Sequence, residues 1–283
     1  MKAKPTQFRL THPDRVMFTS PPITKRDLFD YYLSVSDRML PALAGRPISL
    51  VRCPGGLRGP CFFQRNPSPG FGDAVKSAKV GKNTVVYIED LRGLAALVQM
   101  NVIEIHAWGA KLDDIERPDQ IVLDLDPGEG VAFKRIAAAA RLLRERLRKQ
   151  KLESFVRTSG GKGLHVVIPL EPKADWDTVK AFAHGVATSA AKEHPGEFVA
   201  IAGAGNRKDR IFIDYLRNGL AASSVASYSV RARDGAGVAT PLAWEELPRI
   251  KSASQFNVRN FGARLRKHKR DPWAGFSKLR QKI

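Results

Sequence analysis

Two aspartates at the end of an apolar strand are the residues whose types and spacing most clearly suit chemistry. Asp124 and Asp126 lie in residues 121–130, which read IVLDLDPGEG. Because strand side chains alternate, both carboxylates lie on one face, and the Pro-Gly that follows ends the strand. A second apolar run, IFID, ends in Asp214. These carboxylates predict a site for Mg²⁺ or Mn²⁺ with phosphoryl transfer as its chemistry.

The same aspartates have a simpler structural interpretation. An Asp at a strand end can accept hydrogen bonds from turn amides. The apolar flanks favour burial, and a buried carboxylate is costly unless a cation compensates it. The chain has 47 Lys and Arg residues against 28 Asp and Glu. Ion pairing with basic side chains is therefore the alternative to a metal, and both stay open.

A glycine-rich segment lies between the two strands. Residues 156–169 read VRTSGGKGLHVVIP and contain Ser159, Lys162 and His165. The segment is not a Walker A loop, because its glycine and lysine spacing differs and a strand, residues 164–168, follows it. A strand–turn–strand lets the backbone approach a ligand closely, and the Ser hydroxyl and Lys ammonium suit phosphate. An ordinary hairpin with a buried, hydrogen-bonded His165 is the alternative.

The elements that must position these residues alternate between strand and helix, which indicates an α+β fold. Helices are predicted at residues 24–33, with Thr24 as N-cap, and at 91–99, 131–150 and 175–193. Further strands are predicted at residues 47–52, 61–65, 84–88 and 102–107.

Two of these strands carry further candidate residues. In strand 102–107, side-chain alternation places Glu104 and His106 on one face, where polar pairs usually meet solvent. In strand 61–65, the adjacent Phe62 and Phe63 point to opposite faces. One is expected in the core and the other is free to stack on a nucleic-acid base. Half-burial of both is the alternative.

Charge and cysteine usage restrict the partners. The formal net charge of +19 over 283 residues predicts a polyanionic partner. The basic excess peaks in the tail 259–283, which is expected to be solvated or loosely ordered, with nucleic-acid contact as the alternative. Cys53 and Cys61 are close enough to pair, but no secretory signal precedes them, so reduced cytoplasmic thiols are predicted. No apolar run reaches transmembrane length, so no membrane partner is expected.

The order of these motifs resembles the archaeo-eukaryotic primase superfamily, and most closely the polymerase domain of bacterial ATP-dependent DNA ligase D, which works in non-homologous end joining. The resemblance implies one domain over residues 1–283, with mixed or antiparallel sheets flanked by helices. It also implies two packed lobes, approximately 1–110 and 111–260, that form a catalytic cleft. Its motifs are THPDR at 11–15, ITK at 23–25, RCPGG at 52–56, FFQ at 62–64, EIHAWG at 104–109, RPD at 117–119, FIDYLRN at 212–218 and VASYSVR at 225–231.

The resemblance implies roles for the candidate residues. Asp124 and Asp126 would bridge two Mn²⁺ or Mg²⁺ ions, Asp214 would hold the ion that activates the primer hydroxyl, and His106 would lie beside them. The residues that would bind the nucleoside triphosphate are Ser159, Lys162, Arg207, Arg217, Arg52 and His165. The residues that would contact DNA are Arg15 and Lys25, at the 5′-phosphate of a gap, and Phe62 and Phe63.

The implied activity is template-directed addition of nucleotides, ribonucleotides included, to a DNA primer during gap filling or end joining. Expected partners are DNA with gaps or broken ends, NTP or dNTP, Ku and a DNA ligase, in the bacterial cytoplasm at the nucleoid. A replicative or damage-tolerance primase-polymerase, a metal-dependent nuclease and a non-catalytic DNA-binding module are the alternative functions. The chain departs from the family pattern at Arg65-Asn66, Leu220-Ala221 and Ser227, where DNA or nucleotide contacts are in question.

Overall fold

The fold is built on two six-stranded sheets, seen in a computed structural model that describes residues 10–283. Helices and mostly antiparallel strands combine in one chain, which confirms the predicted α+β class. A separate hairpin precedes both sheets and consists of β1 (Val16–Thr19) and β2 (Pro22–Thr24).

The first sheet has the strand order β13-β7-β3-β6-β5, with β4 paired to β3. Its strands are β3 (Ile48–Arg52), β4 (Phe62–Gln64), β5 (Lys76–Val80), β6 (Asn83–Tyr87), β7 (Val102–Ala107) and β13 (Ser224–Val225).

The second sheet has the strand order β11-β12-β8-β10-β9-β14. Its strands are β8 (Gln120–Pro127), β9 (Phe155–Thr158), β10 (Leu164–Pro169), β11 (Phe198–Val199), β12 (Ile211–Asp214) and β14 (Pro241–Leu242).

Helix α1 (Lys25–Leu43) begins where the sequence predicts it. The Thr24 hydroxyl accepts a hydrogen bond from Asp27 N at 3.1 Å, and the Asp27 carboxylate accepts one from Thr24 N at 2.8 Å. This reciprocal capping satisfies amides that the helix itself leaves unpaired. The helix packs with α2 (Leu91–Gln99), and both helices contribute to the first of two hydrophobic cores.

Helices pack on one face of the second sheet. Helix α3 (Phe133–Lys149) buries the stripe that contains Ile136, Leu143 and Leu147, as its periodicity predicts. Helix α4 (Trp176–Glu193) contributes to the same core. The odd-numbered residues 121, 123 and 125 of β8 also lie in that core. Strand alternation therefore turns Asp124 and Asp126 away from it.

The segment after β12 links the two sheets, because β13 pairs with β7 and β14 pairs with β9. Tyr228, between these strands, belongs to the first core, and its carbonyl accepts the Tyr31 hydroxyl at 2.8 Å. The lobe bounds 1–110 and 111–260 stay a prediction.

The basic tail 259–283 is docked, so the expectation of loose order is wrong, whereas most of its basic side chains are exposed to solvent as expected. It contains α5 (Phe261–Lys267). Trp273 Nε1 donates to Val156 O at 3.1 Å, and Gln281 Nε2 donates to Pro169 O at 2.9 Å. These bonds to backbone groups of the second sheet hold the tail in place.

The prediction of reduced thiols is also wrong. Cys53 and Cys61 form a disulfide, since the glycine-rich turn between β3 and β4 brings their Cα atoms to 4.3 Å. The spacing allowed this pairing, and the argument from compartment led to the wrong prediction. Within residues 10–283, no helix is both long and apolar enough to cross a membrane.

Candidate active site

Three adjacent strands place the predicted carboxylates side by side. In the antiparallel pairing of β12 with β8, Asp214 lies opposite Asp124, and Phe212 lies opposite Asp126. On the other side of β8, His165 of β10 lies opposite Asp124. Side chains at directly opposed positions lie on the same face and contact each other. Asp124 is therefore the centre of a row that runs from Asp214 to His165.

Each of the three predicted metal-binding carboxylates has an arginine partner. Arg217 Nε lies 3.1 Å from Asp214 Oδ2 and 3.7 Å from Asp124 Oδ2. Arg207 Nη1 pairs with Asp126 Oδ2. The remaining oxygen of Asp214, Oδ1, accepts a hydrogen bond from Leu216 N at 2.8 Å. The structure thus brings together all three predicted metal ligands and two of the predicted nucleotide-binding arginines.

The electrostatics of the row favour an additional cation. The pKa of the Asp124 carboxyl is raised to about 7, chiefly by burial; the charge of Arg217 opposes this shift, and the charges of Asp214 and Asp126 contribute to it. A cation beside Asp124 would offset that cost, because opposite charge favours the ionised carboxylate.

The donor set fits Mg²⁺ or Mn²⁺ in its chemistry, since all of its oxygens come from carboxylates and two of them converge on one cationic group, Arg217. As arranged, however, no group of three or more His, Cys, Asp or Glu in residues 10–283 is positioned to hold a metal ion. The arginines contact carboxylate oxygens that an ion would take, so binding of an ion would require Arg207 and Arg217 to release them.

The glycine-rich turn lies against β8, the strand that carries Asp124 and Asp126. The Ser159 hydroxyl accepts hydrogen bonds from Gly161 N at 3.3 Å and Gly163 N at 3.1 Å, which shapes the turn. A Cβ at Gly163 would lie 2.2 Å from Leu125 O, so only glycine allows this close approach between the two aspartates of β8. Lys162 is exposed at the tip of the turn. The predicted strand–turn–strand is confirmed.

A chain of polar contacts joins the first sheet to this turn. Glu104 Oε2 lies 2.7 Å from His106 Nε2, and Glu104 Oε1 lies 3.0 Å from Arg231 Nε. Arg231 Nη1 donates to Ser159 O at 3.0 Å. Burial opposes ionisation of Glu104, but the His106 hydrogen bond and the Arg231 charge outweigh it and lower its pKa to about 2. These contacts order the side of the site that carries His106.

His165 is buried, in agreement with the structural alternative from the sequence. Its Nε2 lies 3.4 Å from Asp124 Oδ1, and its Nδ1 faces the guanidinium of Arg157. In this arrangement His165 contacts a carboxylate of the row. Its predicted role as a triphosphate ligand remains a prediction.

The aromatic pair lies at the border of the first sheet. Phe62 and Phe63 are 45% and 49% exposed, so the expectation that one lies in the core is wrong and the half-buried alternative is correct. The Phe63 ring lies edge-on to the His106 ring with centroids 5.9 Å apart. Arg52 stacks on Phe62 at 5.4 Å and donates to Met100 O at 3.0 Å. The structure thus places Arg52 with the aromatic pair.

The two predicted 5′-phosphate ligands lie near each other. Lys25 is 1% exposed, and its Nζ donates to Gln99 O at 2.6 Å. Arg15 Nη1 donates to Pro54 O at 2.8 Å. Burial lowers the pKa of Lys25 to about 8, and the Arg15 charge adds to that shift. Two neighbouring cations that each bond only a carbonyl in these contacts are suited to an added anion.

Sequence reasoning missed two site residues, Arg157 and Arg231. Arg231 ends the motif VASYSVR, which entered only as part of a resemblance. Arg157 is a basic residue inside a predicted strand, next to the glycine-rich turn. A charged residue in a strand whose neighbours are buried signals a buried polar network, and this signal was available.

Comparison with known proteins connects this geometry to a family. A model of the family described as LigD, primase-polymerase domain, matches residues 24–273. The multifunctional non-homologous end joining protein LigD of Pseudomonas aeruginosa is 39% identical over 287 residues, covering 100% of this chain and 34% of that protein. The LigD of Mycolicibacterium smegmatis is 33% identical over 247 residues, which cover 85% of this chain and 32% of that protein. The chain thus spans about a third of the length of these relatives.

A solved structure gives the same relationship at the level of fold. The polymerase domain from Mycobacterium tuberculosis ligase D, in complex with DNA, superposes with a TM-score of 0.87 at 28% sequence identity. The match covers 97% of this chain and 99% of that one. The match therefore extends over almost the whole length of both chains.

Proposed function

Since the chain belongs to the LigD primase-polymerase domain family, a family of polymerase-type nucleotidyltransferases, we propose that it adds nucleotides to the 3′ end of a DNA primer during template-directed gap filling. One observation carries this proposal: Asp124, Asp126 and Asp214 lie on adjacent strands, directly beside the turn that holds Ser159 and Lys162. Carboxylates for metal ions next to a phosphate-suited turn are what attack on a nucleoside triphosphate requires.

The residues divide the work of the reaction. Asp124, Asp126 and Asp214 would hold two Mg²⁺ or Mn²⁺ ions, which when bound stabilise the attacking and leaving oxygens of an in-line displacement. Release of Arg207 and Arg217 from the carboxylates frees their guanidinium groups for the triphosphate, an anion that arginine binds through charge-assisted hydrogen bonds. The exposed Lys162 supplies a further positive charge, and the glycine backbone of the turn lets the phosphates approach closely.

A primer-extension assay tests the proposal. A labelled, gapped DNA duplex with a 5′-phosphate is incubated with Mn²⁺ or Mg²⁺ and with each class of nucleotide in turn. Templated addition that needs the divalent ion is expected. Shortening of the labelled strand would instead favour a nuclease, and binding without addition would favour a non-catalytic module.

The relatives are named non-homologous end joining proteins, and this similarity supports our proposal that the chain acts in that setting. Ku, which holds broken ends, and a DNA ligase activity, which seals the filled gap, are the proposed protein partners. The net charge of +19 supports attraction to DNA and a nucleoid-associated location in the bacterial cytoplasm.

Replacement of both Arg15 and Lys25 by Ala is expected to remove the preference for gaps with a 5′-phosphate over gaps with a 5′-hydroxyl. The reason is that the buried Lys25 ammonium and the adjacent Arg15 guanidinium are suited to bind a phosphate dianion. The measurement compares the affinity for the two gaps, with each charge-assisted bond worth about 1.5–3 kcal/mol.

The matched control is the double variant Lys149→Ala/Lys151→Ala, which removes the same formal charge from an exposed site at the end of α3. This control should lower the affinity for the two gapped DNAs equally, because it reduces only the general electrostatic attraction to DNA. Retention of the 5′-phosphate preference in the Arg15/Lys25 variant would locate the phosphate site elsewhere, with the basic tail 259–283 as the next candidate.

Ribonucleotides are expected to be preferred over deoxyribonucleotides, with Ser159 and the strand that carries His106 as the candidate positions for the partner of the 2′-hydroxyl. A site that hydrogen-bonds this hydroxyl penalises a substrate that lacks it, because its own polar groups stay unpaired. Competition between rNTP and dNTP for one templated addition measures the preference. We expect Ser159→Ala or His106→Ala to reduce it by about tenfold, the value of one lost hydrogen bond. Equal use by the unmodified protein would favour a replicative or damage-tolerance role.

A further inference from the structure

Arg157 is a buried cation on β9 that none of the proposed steps uses. It is 5% exposed and lies opposite His165 in the pairing of β9 with β10. Its Nη1 donates to Ser227 Oγ at 3.1 Å, and its Nη2 donates to Ser224 Oγ at 3.2 Å. Among the ion pairs within residues 10–283, none includes Arg157. Burying an unpaired guanidinium costs free energy, and the acceptors of its hydrogen bonds in the described residues are all neutral groups.

The third acceptor is the imidazole of His165. Arg157 Nε and Nη2 lie 3.2 and 3.0 Å from His165 Nδ1. A guanidinium has only donors, so Nδ1 must accept, and the ring proton must be on Nε2. That nitrogen lies 3.4 Å from Asp124 Oδ1. Arg157 therefore fixes the tautomer in which the imidazole presents N–H, and not a lone pair, to the central carboxylate.

We propose that Arg157 is a positioning residue for the metal-binding carboxylate, acting through His165. The ring N–H of His165 faces Asp124 Oδ1 at an Nε2–Oδ1 distance of 3.4 Å, which leaves Oδ2 directed to Arg217, at the place where the carboxylates converge. The inference rests on the proposed function. A ligand carboxylate is commonly oriented by a neighbour of this kind, whose removal costs about 10–100-fold in metal affinity.

The surroundings of Arg157 make its replacement informative. Besides the two serines and His165, the guanidinium faces the Trp273 ring at 5.7 Å. It also lines a cavity of about 640 Å³, whose wall includes Ser224, Ser227 and Trp273. The cavity gives a substituted side chain room to settle, and it gives added guanidinium ion a place to bind.

The experiment compares Arg157→Met, which removes all donors, with Arg157→Lys, which retains the charge and one donor group. The first readout is the ¹⁵N spectrum of the His165 ring in metal-free protein. The second is Mn²⁺ binding followed by electron paramagnetic resonance. The third is nucleotide addition as a function of Mn²⁺ concentration. We expect the unmodified protein to show the Nε2–H tautomer.

We expect Arg157→Met to mix the two tautomers and to weaken Mn²⁺ binding by about 10–100-fold. Arg157→Lys should show a smaller loss, and guanidinium ion should restore Mn²⁺ binding in Arg157→Met. At saturating Mn²⁺, kcat should recover, because the carboxylate itself is still present. Unchanged tautomer and Mn²⁺ affinity in a folded Arg157→Met protein would overturn the proposal, as would an Nδ1–H ring in the unmodified protein or an unmodified protein that binds no Mn²⁺.

A second pair of variants covers the case in which Arg157→Met does not fold. His165→Gln retains an amide that can accept from Arg157 and donate to Asp124, whereas His165→Leu retains neither group. Mn²⁺ affinity should fall more in His165→Leu, and equal affinities would overturn the proposal. Failure of the proposed function is distinguishable, since it would abolish nucleotide addition in the unmodified protein while the tautomer and the Mn²⁺ titration still decide the role of Arg157.

Discussion

Asp124→Ala is expected to lower the rate of nucleotide addition by about 1,000-fold or more, because metal-assisted charge stabilisation is worth several kcal/mol and ~1.4 kcal/mol corresponds to a factor of ten. Affinity for gapped DNA should stay nearly unchanged, since contacts from Lys and Arg to phosphates dominate it. Single-turnover primer extension and a DNA-binding titration measure the two quantities separately.

The size of the expected effect follows from the position of Asp124. It lies between Asp214 and His165, and Arg217 bridges it to Asp214. Asp113→Ala is the matched control, because it removes an exposed carboxylate and leaves the row intact. Near-normal extension by Asp124→Ala would contradict the assignment of the active site.

Replacement of Asp124 is expected to increase the stability of the metal-free protein, although it lowers the activity. Burial raises the pKa of Asp124 to about 7 in the folded protein, above its unfolded value. The stability from its protonated form is present below the unfolded pKa and is lost as pH rises toward 7. Without metal, Asp124→Asn should therefore be more stable to urea than the unmodified protein at pH 8 and should lose this advantage at pH 4.

Local sequence signals predicted the elements well where the signal was complete. The predicted bounds of α2 and β7 coincide with the observed ones, and the Thr24 cap marks the start of α1. The end of α1 was placed too early, although Val35 and Met39 continue its buried stripe. Strand β5 was not predicted, because its run KSAKV has exposed lysines and little apolar alternation.

The candidate site was predictable only in part, for a physical reason. Alternation along single strands gave the shared face of Asp124 and Asp126 and that of Glu104 and His106. The contacts of Arg231 with Glu104 and Ser159 join residues that are far apart in the chain, and no local period reports them. Pairing with basic side chains was left open from the sequence, and the structure contains such pairs.

Glu104→Ala is expected to destabilise the protein by about 3–5 kcal/mol, the cost of removing one partner from a buried ion pair. Glu104 is buried, pairs with Arg231 Nε at 3.0 Å and His106 Nε2 at 2.7 Å, and accepts a hydrogen bond from Ala232 N at 2.7 Å. Its loss leaves the Arg231 guanidinium poorly compensated and the His106 ring free to turn. Urea unfolding of the metal-free protein measures the change, with the exposed Glu116→Ala as control.

A double variant and a pH series distinguish the effect of losing the Glu104 charge from the effect of losing its packing. Glu104→Gln/Arg231→Met removes both charges and should cost less than Glu104→Ala, because no unpaired, partly buried cation remains. The folded pKa of about 2 lies below the usual value of 4.5, so the stability from ionised Glu104 is present above 4.5 and is lost as pH falls toward 2. The difference in stability between the unmodified protein and Glu104→Gln should therefore shrink over that range. A difference that is independent of pH would assign the effect to packing, and the ordering of the His106 side of the cleft would then not depend on the charge of Glu104.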